Sequence, residues 1–273
     1  MNATLFLTRK VYLKKLFLNP ILQMSFQWIS GDKNITKLMP YNCYLPEFLT
    51  PFPQYIIYYI YIVYSANVVS CVLGSIDGGF AYDAFFISCI FKMIQFDIES
   101  IFQKYGERGD SYIMTEKDEI ARLEYKLGVL IQRQNDTQKL SETVLKLFGV
   151  MIFVHFVTSA ITICSVCVVI LVGAAGMDLV SCLFYLSAIS TQLFIYCYGA
   201  SLIEDESSKI AEAAYASYWY HVDLRVRKII LIIINRSQKP IVLKVPFFVP
   251  SLPAFNAIMS TAGSYVALMK SFL

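Results

Sequence analysis

Charged residues are scarce in this chain, and their scarcity excludes most soluble folds. Asp, Glu, Lys and Arg make up 16% of the residues, whereas 57% are hydrophobic and the mean hydropathy is +0.56. Several apolar runs reach the ~20 residues that cross a bilayer as a helix. The composition therefore predicts an all-α fold, a polytopic helical bundle in a membrane.

The chain also lacks the motifs of the common enzyme and metal-binding classes. Cys164 and Cys167 form a Cys-x-x-Cys pair, but it lies in an apolar stretch without a second pair or a neighbouring histidine to complete a zinc site. No phosphate-binding loop and no paired acid and base occur outside the apolar runs. We predict no enzymatic activity, no metal site and no cofactor.

Two other features exclude further classes of protein. The net charge of +3 is too small to indicate a nucleic-acid partner. All of the seven cysteines except Cys43 lie in or beside apolar segments, unlike the disulfide framework of a small secreted protein. We interpret them as small buried side chains.

Residues 1–51 contain an apolar run that is too short to cross a membrane. The run extends from Leu16 to Ile29 and is interrupted by Pro20. We interpret it as a partial span followed by an extracellular proline-rich loop; a signal peptide is the alternative. Asn34 begins a glycosylation sequon, which is a weak motif by itself.

The next apolar stretch predicts one long helix from about 52 to 104. Tyrosines are frequent in its first part, as at a membrane interface. Asp77, Gly78 and Gly79 interrupt it, and Asp83 follows. The residues after this interruption are too few to cross alone, so we favour a continuous helix over a hairpin of two short spans.

Two charged segments alternate with the remaining spans. Residues 99–146 carry both signs of charge, with apolar residues at helical spacing, which indicates a solvated amphipathic helix. A span follows over 147–172, then a tight turn and a span over about 179–201. His155 lies in the first of these spans, where we favour a polar contact between helices over a ligand role.

The basic residues predict the orientation of the chain. The segments 99–146 and 204–245 are rich in Lys and Arg, whereas the turn at 173–178 has neither. Lys and Arg are concentrated on the cytosolic side of membrane proteins. The two segments are therefore expected in the cytosol, and the C-terminus outside, after a last helix over about 253–273.

The sequence resembles insect odorant receptors over roughly residues 45–273. The resemblance depends on a combination of motifs in the last third of the chain: Gln192-Leu-Phe, Tyr196-Cys-Tyr-Gly199, Glu206-Ser-Ser, Ala213-Ala-Tyr215, Trp219-Tyr220, Arg227-Lys228, Gln238-Lys-Pro240, Phe247-Phe248, Phe255, Ser264-Tyr265 and Leu268-Met-Lys270. Weaker support comes from Pro51-Phe-Pro53, Asp83, Arg133-Gln134 and Cys164.

The resemblance implies a plasma-membrane subunit that joins an odorant co-receptor in a hetero-tetramer. Such complexes are cation channels opened by small volatile odorants. About four full spans would correspond to the family's spans four to seven, at about 52–104, 118–172, 179–210 and 216–272. The cytosolic segments 99–146 and 204–245 would form the contact between subunits, and residues 253–273 the pore helix.

The resemblance also implies roles for individual residues. The odorant would contact Tyr58, Tyr61 and Ser65. The pore and its gate would be formed by Ser264, Tyr265, Leu268 and Met269. The contact between subunits would use Tyr215, Trp219 and Phe247.

The sequence departs from the family pattern at three places. The family's first two spans and most of the third are absent, so we expect a truncated form. Residues 262–266 read Ala-Gly-Ser-Tyr-Val where the family has a Ser-Tyr-Ser-Tyr-Phe pattern, which alters the expected pore wall. The glycine pair after Asp77 is unusual within a long helix.

Three other interpretations stay open at this point. A gustatory-receptor-like channel would share the topology, but its C-terminal pattern differs from Ser271-Phe272 here. A secondary transporter would show internal repeats with matched helix breaks, and only one break is present. A non-functional receptor fragment would share the sequence pattern without conducting ions.

Overall fold

The computed structural model of the chain describes residues 51–106, 117–173, 177–245 and 249–272. The partial span, the loop and the sequon predicted within residues 1–50 lie outside this part. By its contacts the chain divides into two compact units, Met1–Gly78 and Gly79–Leu273.

The regular elements of the described residues are helices. They are α1 (Phe52–Gly106), α2 (Lys117–Val172), α3 (Met177–Ala216), a 3-10 turn (Trp219–His221), α4 (Leu224–Ser237) and α5 (Leu252–Phe272). The prediction of an all-α fold is confirmed.

The three long helices agree with the predicted spans at about 52–104, 118–172 and 179–210. Helix α1 is continuous through Gly78 and Gly79, as the single-helix interpretation requires. The region 216–272, which the resemblance gives as the last span, contains the 3-10 turn, α4 and α5. Pro240, three residues after the end of α4, cannot continue a helix, and α5 agrees with the last helix predicted over about 253–273.

Within the described ranges, three helices are long and apolar enough to cross a membrane: Gln54–Gln103, Lys117–Leu171 and Leu179–Ala216. A helix of 55 residues, such as α1, is ~80 Å long, whereas the hydrocarbon core is ~30 Å thick. Each long helix therefore extends well beyond the bilayer. Helix α5 has 21 residues and contains several small and hydroxyl side chains.

Buried residues recur along α1 and α2 at alternating spacings of three and four. On α1 they run from Phe80 to Phe102, and on α2 from Leu123 to Ile163. This spacing keeps one stripe of each helix against its neighbours. Helix α3 packs on α2, α4 and α5, and α2 also packs on α4 and α5.

Of the glycines that the structure describes, Gly199 of α3 has the nearest neighbours. A Cβ atom built on this glycine would lie 3.0 Å from Cε1 of Phe80 and 3.1 Å from Cβ of Ala84. Real Cβ atoms rarely come so near to other heavy atoms. Glycine at this position therefore lets α1 and α3 touch.

We predict that Gly199→Ala destabilises the protein by about 1–3 kcal/mol, because the added methyl group overpacks this contact. The measurement is the unfolding midpoint of the purified protein in detergent. The matched control is Gly128→Ala in α2, where an added Cβ would meet nothing within 4 Å. There the better helix propensity of alanine should raise stability by up to about 1 kcal/mol. Equal shifts for the two variants would contradict the packing argument.

Candidate functional site

The charged half of α1 is joined to α2 and α3 by polar contacts. Arg133 donates from Nη1 to Oδ2 of Asp97 at 3.1 Å. Gln95 donates from Nε2 to the carbonyl oxygen of Glu206 at 2.9 Å and to its Oε2 at 3.0 Å. The ion pair is about 40% exposed, so it adds little stability, but it aligns the polar ends of the helices.

Helix α4 and the segment after it complete this polar region. Gln134 of α2 donates from Nε2 to Oγ of Ser237 at 2.8 Å in a buried bond. The backbone N–H of Ile241 donates to Oγ of Ser207 on α3 at 3.0 Å. The two segments that the sequence assigns to the same side of the membrane, 99–146 and 204–245, are therefore in contact within the described residues.

An aromatic surface, which we define as Tyr215, Tyr218, Trp219 and Tyr220, lies where α3 ends. Three of its side chains are exposed, and the most exposed is Tyr215 at 72%. The indole N–H of Trp219 donates to the carbonyl oxygen of Tyr215 at 3.3 Å, which holds the ring beside the helix end. Of the residues predicted to join subunits, Tyr215 and Trp219 thus share one surface, and Phe247 lies outside the described residues.

The first half of α5 is attached to α3. The rings of Phe194 and Phe255 meet edge to face with centroids 5.6 Å apart. The backbone N–H of Leu252 donates to Oγ of Ser201 at 3.1 Å, and Ser190 donates to the sulfur of Met259 at 3.8 Å. Because the partner numbers on α3 fall as those on α5 rise, the two helices run antiparallel.

The second half of α5 has little packed against it. From Ser260 to Leu268 each residue whose side chain is described is exposed, except for half-buried Ala262. Tyr265 is 56% and Leu268 is 55% exposed. Ser264 donates to the carbonyl oxygen of Ser260 at 2.9 Å, which satisfies its hydroxyl within the helix. The predicted pore residues therefore lie on one exposed half-helix; the side chain of Met269 lies outside the described set.

The predicted odorant contacts lie in the first unit. Tyr58, Tyr61 and Ser65 have the spacing of one helix face, with Tyr61 65% exposed and the other two half-buried. Ser65 donates from Oγ to the carbonyl oxygen of Ile62 at 3.0 Å. The buried tyrosines of this stretch are Tyr55 and Tyr59, whose ring centroids are 6.1 Å apart. The odorant role of Tyr58, Tyr61 and Ser65 stays a prediction.

An aromatic cluster at the meeting point of three helices was not expected from the sequence. The ring of Phe80 on α1 lies 5.1 Å from that of Tyr196 on α3 and 5.5 Å from that of Phe148 on α2. His155 lies 5.3 Å from Tyr196 and 3.4 Å, through Nε2, from Oγ of Ser159. Phe80, Phe148 and Tyr196 are far apart in sequence and lie on three different helices, so periodicity within one helix could not predict that they meet. His155 thus meets α3 through a ring contact, whereas its contact with Ser159 lies within α2. The expected polar contact between helices stays a prediction.

No metal-binding chemistry stands out in the part of the chain that the structure describes. The six cysteines there, among them Cys164 and Cys167, are free. No group of three His, Cys, Asp or Glu residues within these ranges is arranged to hold an ion.

The chain is similar to known receptors over almost its whole length. Residues 6–263 match the family model described as 7tm Odorant receptor. Odorant receptor 22c of Drosophila melanogaster is 32% identical over 256 residues, which are 94% of this chain and 63% of that relative. Odorant receptor 10a of the same organism is 30% identical over 257 residues, 93% of this chain and 62% of the relative. The chain thus spans less than two thirds of the length of these two relatives.

The fold is similar to that of a solved insect receptor. The olfactory receptor OR5 from Machilis hrabei in complex with eugenol matches with a TM-score of 0.73 at 16% identity, covering 100% of this chain and 66% of that chain. Another structure of OR5 matches with a TM-score of 0.69 at 18% identity. At such low identity the match concerns the fold alone, and it supports the predicted receptor-type helical bundle.

The contact of Ser201 with the start of α5 leads to a test of how this helix is attached. Ser201→Ala removes the acceptor of the Leu252 N–H, so we expect a loss of about 1 kcal/mol and faster hydrogen exchange at the start of α5. Hydrogen exchange followed by mass spectrometry over residues 249–259 measures this. Ser208→Ala is the control, because that exposed hydroxyl donates within its own helix to Asp205. Unchanged exchange in Ser201→Ala would show that the bond does not hold α5.

Proposed function

The chain belongs to the 7tm odorant receptor family, and from this membership we propose that it is an odorant receptor subunit that binds small volatile molecules. Members of this family are multi-pass membrane receptors and not enzymes, in agreement with the sequence prediction. We propose further that the chain joins an odorant co-receptor in a hetero-tetramer at the plasma membrane and contributes to a cation channel that odorants open.

One observation carries the channel proposal: α5 is held by its first half and exposed over its second. A membrane helix exposed only to lipid would gain nothing from Ser260, Thr261 and Ser264. Thr261, like Ser264, bonds to its own backbone, in this case to the carbonyl oxygen of Ala257 at 2.7 Å. Such hydroxyls tolerate both water and close helix contacts. A helix of this kind suits the wall of a narrow pore that neighbouring subunits complete.

The gate is assigned to the bulky residues near the end of α5. Tyr265 and Leu268 are large and exposed, and they follow a stretch of small side chains. Apolar side chains that close around a pore expel water, and ions do not cross the dry constriction. In the proposed channel, Leu268 from each subunit forms this constriction, and Ser264 lines the wall beside it.

Opening is a shift between two arrangements of the α5 helices. An odorant favours the open arrangement by the difference between its affinities for the two states. We assign odorant contacts to Tyr58, Tyr61 and Ser65, which offer aromatic faces and hydroxyl groups to a mainly apolar ligand. Within the second unit, α3 contacts α5 through Phe194 and α1 through Gly199, so a movement of α3 would reach the pore helix.

The aromatic surface and the polar segments support the proposed assembly. Exposed Tyr and Trp side chains are enriched in protein interfaces, because they bury a large area at a small cost in conformational entropy. Tyr215, Trp219 and Phe247 are proposed as contacts with the neighbouring subunit. With residues 99–146 and 204–245 in the cytosol, the C-terminus after α5 is extracellular.

The channel proposal predicts an odorant-evoked cation current in cells that express this chain with an insect co-receptor, and none with co-receptor alone. Leu268→Ala should weaken the constriction and raise the current without odorant about twofold or more. Whole-cell recording with a broad odorant panel measures both. Leu147→Ala is the matched control, because Leu147 is also an exposed leucine (69% against 55% for Leu268) but belongs to α2. Silence despite surface expression would favour a non-functional receptor fragment.

A second prediction tests the odorant contacts. For any odorant that activates the complex, Tyr61→Ala should raise the half-maximal concentration about tenfold, because a lost ring contact of about 1.4 kcal/mol weakens binding by that factor. The control is Ile60→Ala, a side chain of similar exposure (61% against 65%) that points about 100° away around the helix. Equal effects in the two variants would argue against an odorant site on this face.

A further inference from the structure

A polar cleft of about 310 Å³ lies between α2 and α4 in the polar region. It is lined by Asn135, Gln138, Lys139, Glu142 and Arg236. The α2 residues have the spacing i, i+3, i+4 and i+7, so they form one face of that helix, and Arg236 comes from α4. Beside the cleft, the buried bond of Gln134 to Ser237 holds the two helices together.

Asn135 provides an unused acceptor at this cleft. Its Oδ1 atom is buried and has no hydrogen-bond partner in the part of the chain that the structure describes. A buried polar atom without a partner is unfavourable, and a ligand donor that reaches Oδ1 would remove this penalty. The position therefore favours a ligand with a hydroxyl or amino group.

Two cations provide donors that the protein does not fully use. Arg236 donates from Nη2 to Oε1 of Gln138 at 3.1 Å, which occupies part of a guanidinium group that carries five N–H donors. The ammonium of Lys139 is 4.0 Å from Oδ1 of Asp136, and its side chain is 79% exposed. This ion pair is weak, so both cations are available to an anion.

We infer that the cleft binds a phosphate ester of a polyol. Phosphate oxygens suit Arg236, whose planar guanidinium binds them in pairs, and Lys139 as a second cation. The hydroxyl groups of the polyol donate to Oδ1 of Asn135 and to the carboxylate of Glu142. Inorganic phosphate has fewer groups to offer these acceptors, and a metal cation would be repelled by Arg236 and Lys139. The volume is at the lower end of that of ordinary small-ligand sites.

The position of the cleft allows two sources for such a ligand. Lys139 precedes Lys146 by seven residues, or ~10 Å of helix, and the apolar run of α2 begins directly after Lys146. The polar headgroup layer extends ~5–8 Å beyond the hydrocarbon on each side, so the cleft lies just past this layer, within reach of a headgroup that projects from it. The headgroup of an inner-leaflet phosphoinositide and a soluble polyol phosphate share the required chemistry.

The test measures binding to the full chain purified in detergent, without odorant or current, so it does not depend on the proposed channel function. The probes are short-chain phosphatidylinositol 4,5-bisphosphate, soluble inositol 1,4,5-trisphosphate and inorganic phosphate. We expect both inositol probes to bind about tenfold or more tightly than inorganic phosphate. Tighter binding of the lipid than of the soluble probe would identify a membrane headgroup as the source, and equal binding a soluble ligand.

Matched variants separate a built site from a merely basic surface. Arg236→Gln should weaken binding of the inositol probes about tenfold, whereas Lys239→Gln, the same loss of charge at an exposed position outside the cleft lining, should change it less than about twofold. Asn135→Leu should weaken the inositol probes more than inorganic phosphate. Arg236→Lys retains the charge but not the planar pair of donors. It serves as the second variant at this position in case Arg236→Gln fails to fold. Equal losses for Arg236→Gln and Lys239→Gln, or no preference for inositol probes, would overturn the proposal.

Discussion

The contact of α1 with α3 at Gly199 is the constraint on which the second unit of this chain depends. The absence of a side chain on Gly199 lets the ring of Phe80 approach the α3 backbone, and the same ring contacts Phe148 of α2 and Tyr196 of α3. Because helices are stiff, a contact that fixes α1 against α3 at one point also determines how the two helices lie along the rest of their length. The polar bonds of Asp97 with Arg133 and of Gln95 with Glu206 lie farther along the same helices.

The long helices pass from one solvent to another, and different forces hold their two halves. In lipid, apolar side chains gain little by leaving the solvent, so close packing and aromatic contacts such as that of Phe80 with Tyr196 hold the helices together. In water, burial of apolar side chains is itself favourable. Ile98, Phe102 and Leu127 are buried in the charged halves of their helices, where this effect operates. The polar region is thus expected to be the stable base from which the membrane halves extend.

Helix α5 differs from the other long elements, because the side-chain bonds and ring contacts to other helices that the structure describes for it lie in its first half. Phe255 and the N–H of Leu252 hold that half to α3, whereas the residues around Ser264 and Leu268 are exposed. A half-helix of this kind can change position without breaking the packing of α1, α2 and α3. Such freedom suits a gate, while the packed helices suit the parts that must keep their geometry.

Much of this molecule was determined by the sequence alone. Hydropathy and helical spacing predict the long helices, because backbone hydrogen bonding and solvent preference act over a few neighbouring residues. The motifs from Gln192 to Leu268 also indicated the receptor family that the comparisons support. The tertiary structure decided which residues meet: His155 with Tyr196, Gln134 with Ser237, and Arg236 with the polar face of α2. Such pairs depend on how two helices are aligned in space, and no pattern within a single helix contains that alignment.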